Sequence, residues 1–297
     1  MRKWSLIAAL VAFDGLAMLF LAAAIARVEQ RLLAISGLIF AASGFCAALS
    51  IWSKNNPPMR GVRAAFILVS IMGCLGALIW APIEEVRYAA CNAKSMSNLK
   101  HIGEAMRGYH ECYGELPPAA IRASDGTPLL SWRVALLPFL LEADLHKRFH
   151  LDEPWDSPHN KRFLPSMPAN YASPGPNRGG QFETFYQVLI GPGTAFERDG
   201  LCFEADFPDG VDETILVVEA AKAVPWTKPE DVSFDDQPLL PRLGGRSRGG
   251  FVTNHSLHED FVLLFGNGAT RKGRPDMSEE TLRAWVTRNG GKRVRKD

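Results

Sequence analysis

EEVRYAACNAKSMSNLKHIGEAMRGYHECY, residues 84–113, decides the architecture. Apolar or small residues recur at Val86, Ala90, Ala93, Met96, Leu99, Ile102, Met106, Tyr109 and Tyr113, always three or four positions apart. That spacing keeps returning to one face of a 3.6-residue helix. Lys94, Lys100, Glu104 and Arg107 fall on the other face. The stretch predicts one long amphipathic helix that stops near Gly114, before Pro117-Pro118.

Working upstream, the chain turns apolar. Trp4–Ile25 carries a single charge, Asp14, while Leu32–Trp52 and Ala64–Ile83 carry none. Each run has the length, about 20 residues, that crosses a hydrocarbon core. Met1-Arg2-Lys3 would also suit a signal peptide. The first run, however, is long, lacks a small-residue cleavage site and is followed by two more. Three transmembrane helices are therefore expected, the third running past Pro82 into the helix of residues 84–113. Arg2, Lys3, Lys54, Arg60 and Arg63 flank one side of these spans and Arg27 and Arg31 the other. The imbalance puts the N-terminus in the cytoplasm and residues 84–297 outside. Asp14 inside a span is read as a helix–helix hydrogen bond.

Charge follows the same division. Residues 1–82 hold seven Lys/Arg and two Asp/Glu, within a chain of 297 residues and net charge +1. The rest is mildly acidic, with no basic patch of nucleic-acid size, so no nucleic-acid partner is expected. Five cysteines occur without a CxxC pair, which leaves structural zinc and thioredoxin-like chemistry unsupported. Cys91 and Cys112 are about 30 Å apart if one helix joins them. Only a disulfide involving Cys202 stays open.

Downstream the elements shorten. Ser131 is placed to cap a short helix starting at Trp132. Pro138, Pro154, Pro158 and Pro165 keep the later elements short. Phe185–Ile190, Thr214–Val218 and Phe261–Phe265 read as strands. The last leads through Gly266-Asn267-Gly268 into Ala269-Thr270-Arg271, a hairpin signal. Ser278-Glu279-Glu280 opens a final helix that buries Leu282, Trp285 and Val286 and ends at Gly290-Gly291. A long helix, then short helices, then strands is an α+β order. Arg242–Gly250 is Gly-rich but lacks the Gly-Lys-Ser/Thr ending of a phosphate loop, and reads as a linker.

Three polar clusters are candidate sites. His255, His258, Glu259 and Asp260 could ligate a metal, although strand alternation would split them between faces. Asp152, Glu153, Asp156 and His159 sit among Pro and Trp residues and read as a rigid turn. Asp206, Asp209, Asp212 and Glu213 form an oxygen-rich loop that would suit calcium but lacks EF-hand spacing. No Gly-x-Ser-x-Gly elbow and no His-Glu-x-x-His helix occurs. No catalytic, cofactor-binding or metal-binding residue is assigned, and no cofactor is expected.

Asn98-Leu99-Lys100-His101-Ile102-Gly103, Tyr109-His110 and Tyr113-Gly114-Glu115-Leu116-Pro117-Pro118 carry a further signal. So do Leu130–Val134, Phe149–Asn160, Thr214–Ala220 and Val224–Asp231. In this order they resemble the bacterial prepilin-type, general-secretion-pathway-G-like pseudopilin family with an unassigned C-terminal domain, over about residues 84–291. Asn267-Gly268 stands where that family has Asp-Gly. Counting from Gly61 as a prepilin cut, Phe66 stands where it has a glutamate, so peptidase processing is not expected.

The expected fold is thus membrane-anchored α+β: three transmembrane helices, the third continuing into a long soluble helix packed on an antiparallel sheet, pseudopilin-like. The expected divisions are a membrane domain at 1–83, an extracytoplasmic domain at 84–291 and a basic tail at 292–297. The expected place is the bacterial cytoplasmic (inner) membrane, with the lipid bilayer and other envelope or secretion-system proteins as partners. The resemblance implies a structural or interaction module, and because the sequence supplies no nucleophile–base pair and no metal spacing, no enzyme is expected. The alternatives are a ligand-binding module that uses exposed Trp132, Trp155 and Trp226, or an unrecognised envelope enzyme.

Overall fold

The computed structural model describes residues 60–174, 180–235, 237–244 and 260–290; between 60 and 87 it describes the helical backbone and the side chains of Leu68 and Val86. The elements run α1 (Arg60–Tyr113), β1 (Ala120–Arg122), β2 (Pro128–Ser131), α2 (Trp132–Ala135), α3 (Ala143–His146), β3 (Glu183–Ile190), α4 (Phe203–Asp206), β4 (Ile215–Pro225), β5 (Val232–Ser233), β6 (Phe261–Phe265), β7 (Thr270–Gly273) and α5 (Glu279–Val286). The chain divides into two units between Arg87 and Tyr88. The packed core belongs to the second.

The amphipathic stretch is helical as its spacing requires. Leu99, Ile102 and Met106 are fully buried and Ala105 nearly so. Burying each large side chain contributes about 1.5–3 kcal/mol. The helix stops where Gly114 adopts φ 77°, and the Gly114 N–H donates to the His110 carbonyl at 2.7 Å. A left-handed residue after the last turn is what glycine supplies without a Cβ penalty.

A five-stranded sheet, in the order β5-β3-β4-β6-β7, supports that helix. Alternation along β6 sorts its side chains: Val262 and Leu264 join Leu99, Ile102 and Met106, while Phe261, Leu263 and Phe265 join Leu282 and Val286 of α5. The sheet therefore has α1 on one face and α5 on the other. Gly103 permits the approach of α1, since a Cβ there would lie 2.9 Å from Leu264 Cδ1. Ser131 caps α2, accepting from the Arg133 N–H, and Ser278 caps α5, accepting from the Thr281 N–H.

Several expectations are corrected. Among the described residues no helix is long and apolar enough to cross a membrane, which overturns the three transmembrane helices as a description of this fold. From Tyr88 onward the outer face of α1 carries Lys94, Lys100, Glu104 and Arg107, all exposed, so that part of the helix has no unbroken apolar length. The runs Trp4–Ile25 and Leu32–Trp52 lie outside the described residues. Only the helical backbone is described over most of Ala64–Ile83.

The sheet is mixed rather than antiparallel, because β5 pairs parallel to β3. The Asp231 carboxylate accepts the Val188 N–H at 2.9 Å and so draws Val232 alongside Leu189. The final helix stops at Val286, not at the glycine pair, because Thr287 is extended and the Arg288 N–H donates to the Gly193 carbonyl.

Candidate functional site

The inner stripe of α1 is not wholly apolar. Asn92, Ser95 and Asn98 follow one another at three-residue steps and are all buried. Ser95 Oγ donates to the Glu219 carboxylate, whose other oxygen accepts the Val262 N–H at 2.8 Å. Tyr186 Oη lies 2.8 Å from Ser95 Oγ. The Asn98 amide donates to Tyr186 Oη at 3.3 Å and to the Ala172 carbonyl at 3.0 Å. A serine beside a carboxylate is the grouping a nucleophile and base would need. Here Ser95 is fully buried and Glu219 is 2% exposed, so no substrate reaches the pair. These bonds tie α1 to β3, β4 and β6.

Tyr186 joins this network to a second one. Its carbonyl accepts from Arg133 Nε at 3.0 Å and Nη2 at 2.6 Å. Arg133 also donates to Ser131 Oγ at 2.6 Å and to Asp231 at 2.9 Å, and its guanidinium lies over the Trp132 ring. The Trp132 indole N–H donates to the same Asp231 oxygen at 3.1 Å. Both charged side chains are fully enclosed. Burial pushes the Asp231 carboxyl above the usual range, opposed by the Arg133 charge. A buried ion pair with all of its guanidinium nitrogens bonded is a register device more than a source of net stability.

The other clusters fare differently. His255, His258 and Glu259 lie outside the described residues, which leaves Asp260 alone of that set. In the turn after α3, the His150 and His159 rings stack at 3.5 Å and 6°. His150 Nδ1 is 2.8 Å from Glu153, and this bond holds the Glu153 carboxyl below its ordinary range. Asn160 locks the turn, accepting the His150 N–H and donating to the carbonyls of His150, Glu153 and Pro154. Asp152 and Asp156 remain exposed. In the acidic loop Asp206 pairs with Arg198 at 3.1 Å and Glu213 faces Arg271 at 3.6 Å. Among the described residues no three His, Cys, Asp or Glu side chains group so as to hold a metal.

The aromatic platform is corrected. Trp132 and Trp226 are fully buried, and the Trp226 indole donates to the Leu164 carbonyl at 3.0 Å. Only Trp155 keeps partial exposure, with Lys228 Nζ 5.7 Å from its ring centre. Cys91, Cys112 and Cys202 are free thiols, and Cys202 Sγ donates to the Gly114 carbonyl at 2.6 Å.

The outer face of α1 is open to solvent at Lys94, Lys100, Glu104 and Arg107. Lys100, Gly103, Glu104, Arg107, Gly108 and Glu111, with the Asn267-Gly268 turn, line a groove of ≈ 280 Å³. Arg107 closes one wall by donating to the Asn267 carbonyl at 2.8 Å. Charges alternate in sign along this face at helical spacing. Such a surface can receive a polypeptide segment.

Comparison with known families gives one match: a family described as a protein of unknown function (DUF1559) matches residues 84–249, more than half of the chain. The chain belongs to that family. No curated protein and no solved structure matches it.

Proposed function

We propose that this member of the DUF1559 family is a pseudopilin-like structural or interaction module, working by presenting α1 and its groove to other proteins and not by turning over a substrate. The observation that carries the reading is the division of labour on α1. Its inner face is fixed by Leu99, Ile102 and Met106 and by the Ser95–Glu219 bond, while its outer face holds Lys94, Lys100, Glu104 and Arg107 in water. The enclosed Ser95, Glu219, Arg133 and Asp231 groups serve the fold's own hydrogen bonds. A pseudopilin-like long helix on a sheet and the motif order of residues 98–231 support the same reading. The partners proposed are proteins of the cell envelope, with no role for nucleic acid.

Photo-cross-linking in living cells tests it. A benzophenone amino acid placed at Lys94 or Glu104 of the full chain should give discrete protein adducts. The same group at exposed Lys272 on β7 serves as the control. Adducts no stronger at α1 than at Lys272 would sink the proposal.

A further inference from the structure

Leu141 stands out by two independent measures. It is 97% exposed, and it sits at φ 64°, ψ 22°, directly after the 3-10 helix Leu137–Leu140. That left-handed position normally takes glycine, because a Cβ there crowds the backbone. The conformation is locked: the Leu141 and Glu142 N–H groups both donate to the Leu137 carbonyl. A single exposed leucine needs no explanation. This one follows two residues after Phe139, whose ring belongs to an aromatic cluster at the C-terminal end of α1. Tyr113 is 60% exposed; its ring centre lies 4.5 Å from Tyr109 and 6.2 Å from Phe139, two residues before Leu141.

The surroundings are acidic. Glu115 and Asp199 act on Tyr109, whose hydroxyl is pushed up first by burial and then by these carboxylates. Glu142 follows Leu141 directly. Lys147 pairs with Asp144 and Arg198 with Asp206.

We infer that Tyr109, Tyr113, Phe139, Leu140 and Leu141 form a docking site for a partner protein segment that offers an apolar side chain flanked by lysine or arginine. The apolar patch would seat the anchor, and Glu115, Glu142 and Asp199 would meet the flanking cations. The inference deepens the interaction-module reading and rests on it, naming a second surface and the chemistry of its occupant.

The test uses the full chain and a fluorescein-labelled seven-residue peptide alternating arginine and leucine, read by fluorescence anisotropy. Two control peptides replace arginine by glutamate or leucine by serine. The arginine–leucine peptide should bind, and the controls should bind at least about ten-fold more weakly. Leu141→Gly should weaken binding by about ten-fold or more, the scale of losing an interface anchor. Its melting temperature should be unchanged or higher, because glycine accepts the left-handed conformation. Asp199→Lys should weaken binding and flatten its salt dependence. Equal binding by wild type and Leu141→Gly, equal binding of the serine control, or no binding by any peptide would each overturn the inference. Cross-links at Lys94 and Glu104 alongside any of those results would leave the module reading standing without this site.

Discussion

At the scale of single residues, the Arg133–Asp231 pair shows how a charged centre can specify a fold without serving chemistry. Removing one partner leaves the other charge enclosed and uncompensated. Arg133→Met should destabilise the domain by about 3–5 kcal/mol. Adding Asp231→Leu should recover part of that loss, so the double variant unfolds at higher denaturant than the single one. Strictly additive losses in chemical denaturation would show that the two side chains act separately.

The neighbouring Glu230 gives a pH test with the opposite chemistry. Hydrogen bonds from Lys222 and then Lys228 hold its carboxyl below the ordinary range. A carboxylate with a lowered folded-state pKa contributes stability above its unfolded pKa and loses it as pH falls through the folded value. Glu230→Gln should therefore lower stability at neutral pH by about 0.2–1 kcal/mol, the scale of an exposed pair. The gap to wild type should close in acid. A gap that stays constant from neutral to acid pH would contradict the assignment. Neither pair could be read in the sequence. Arg133 and Asp231 are 98 positions apart, and nothing local to either marks the other.

At the scale of elements, periodicity carried most of what could be read. The strands around Phe185–Ile190 and Phe261–Phe265, the Asn-Gly hairpin and both serine caps follow from local rules, and the structure has each of them; the α1 stripe is buried at Leu99, Ile102 and Met106, whereas Val86, Ala90, Ala93 and Tyr113 are exposed. What local rules missed depends on distant contacts. β4 runs on to Pro225 because, after the irregularity beyond Glu219, it rejoins β3 at Val224 and Pro225. β5 is two residues long and has no period to detect. Trp132 and Trp226 looked like a surface because Trp with Pro often marks one. Enclosure of both rings comes from Tyr171, which stacks on Trp226 at 6.0 Å and meets Trp132 edge-on at 6.1 Å. The three-residue recurrence of Asn92, Ser95 and Asn98 was available as a signal of the inner polar network, but it was hidden by the apolar positions beside it.

The α1 assignment makes a paired prediction. Leu99→Ala should cost about 2–5 kcal/mol as a buried truncation. Lys94→Ala should cost under about 0.5 kcal/mol as an exposed change. Equal shifts in the urea midpoint would mean the helix presents a different face to the sheet.

At the scale of the whole molecule, the division between Arg87 and Tyr88 separates what the sequence marks as apolar from what the structure shows to be a packed core. Every buried hydrophobic side chain among the described residues lies at Leu99 or later, and the first buried polar one is Asn92. Ser95 is tied to the sheet through Glu219. Among the described side chains, the buried core is thus drawn from Asn92 onward. A chain of residues 88–297 should fold alone and unfold in one cooperative transition. It keeps about seven turns of α1, counted at 3.6 residues each. Leu99→Ala should then destabilise this shortened chain as much as it destabilises the full one, because the cavity forms in the same surroundings. Calorimetry and near-ultraviolet circular dichroism would check it. A broad, non-cooperative transition, or a loss of the aromatic signal from Trp132, Tyr171 and Trp226, would show that the preceding residues are needed to complete the core.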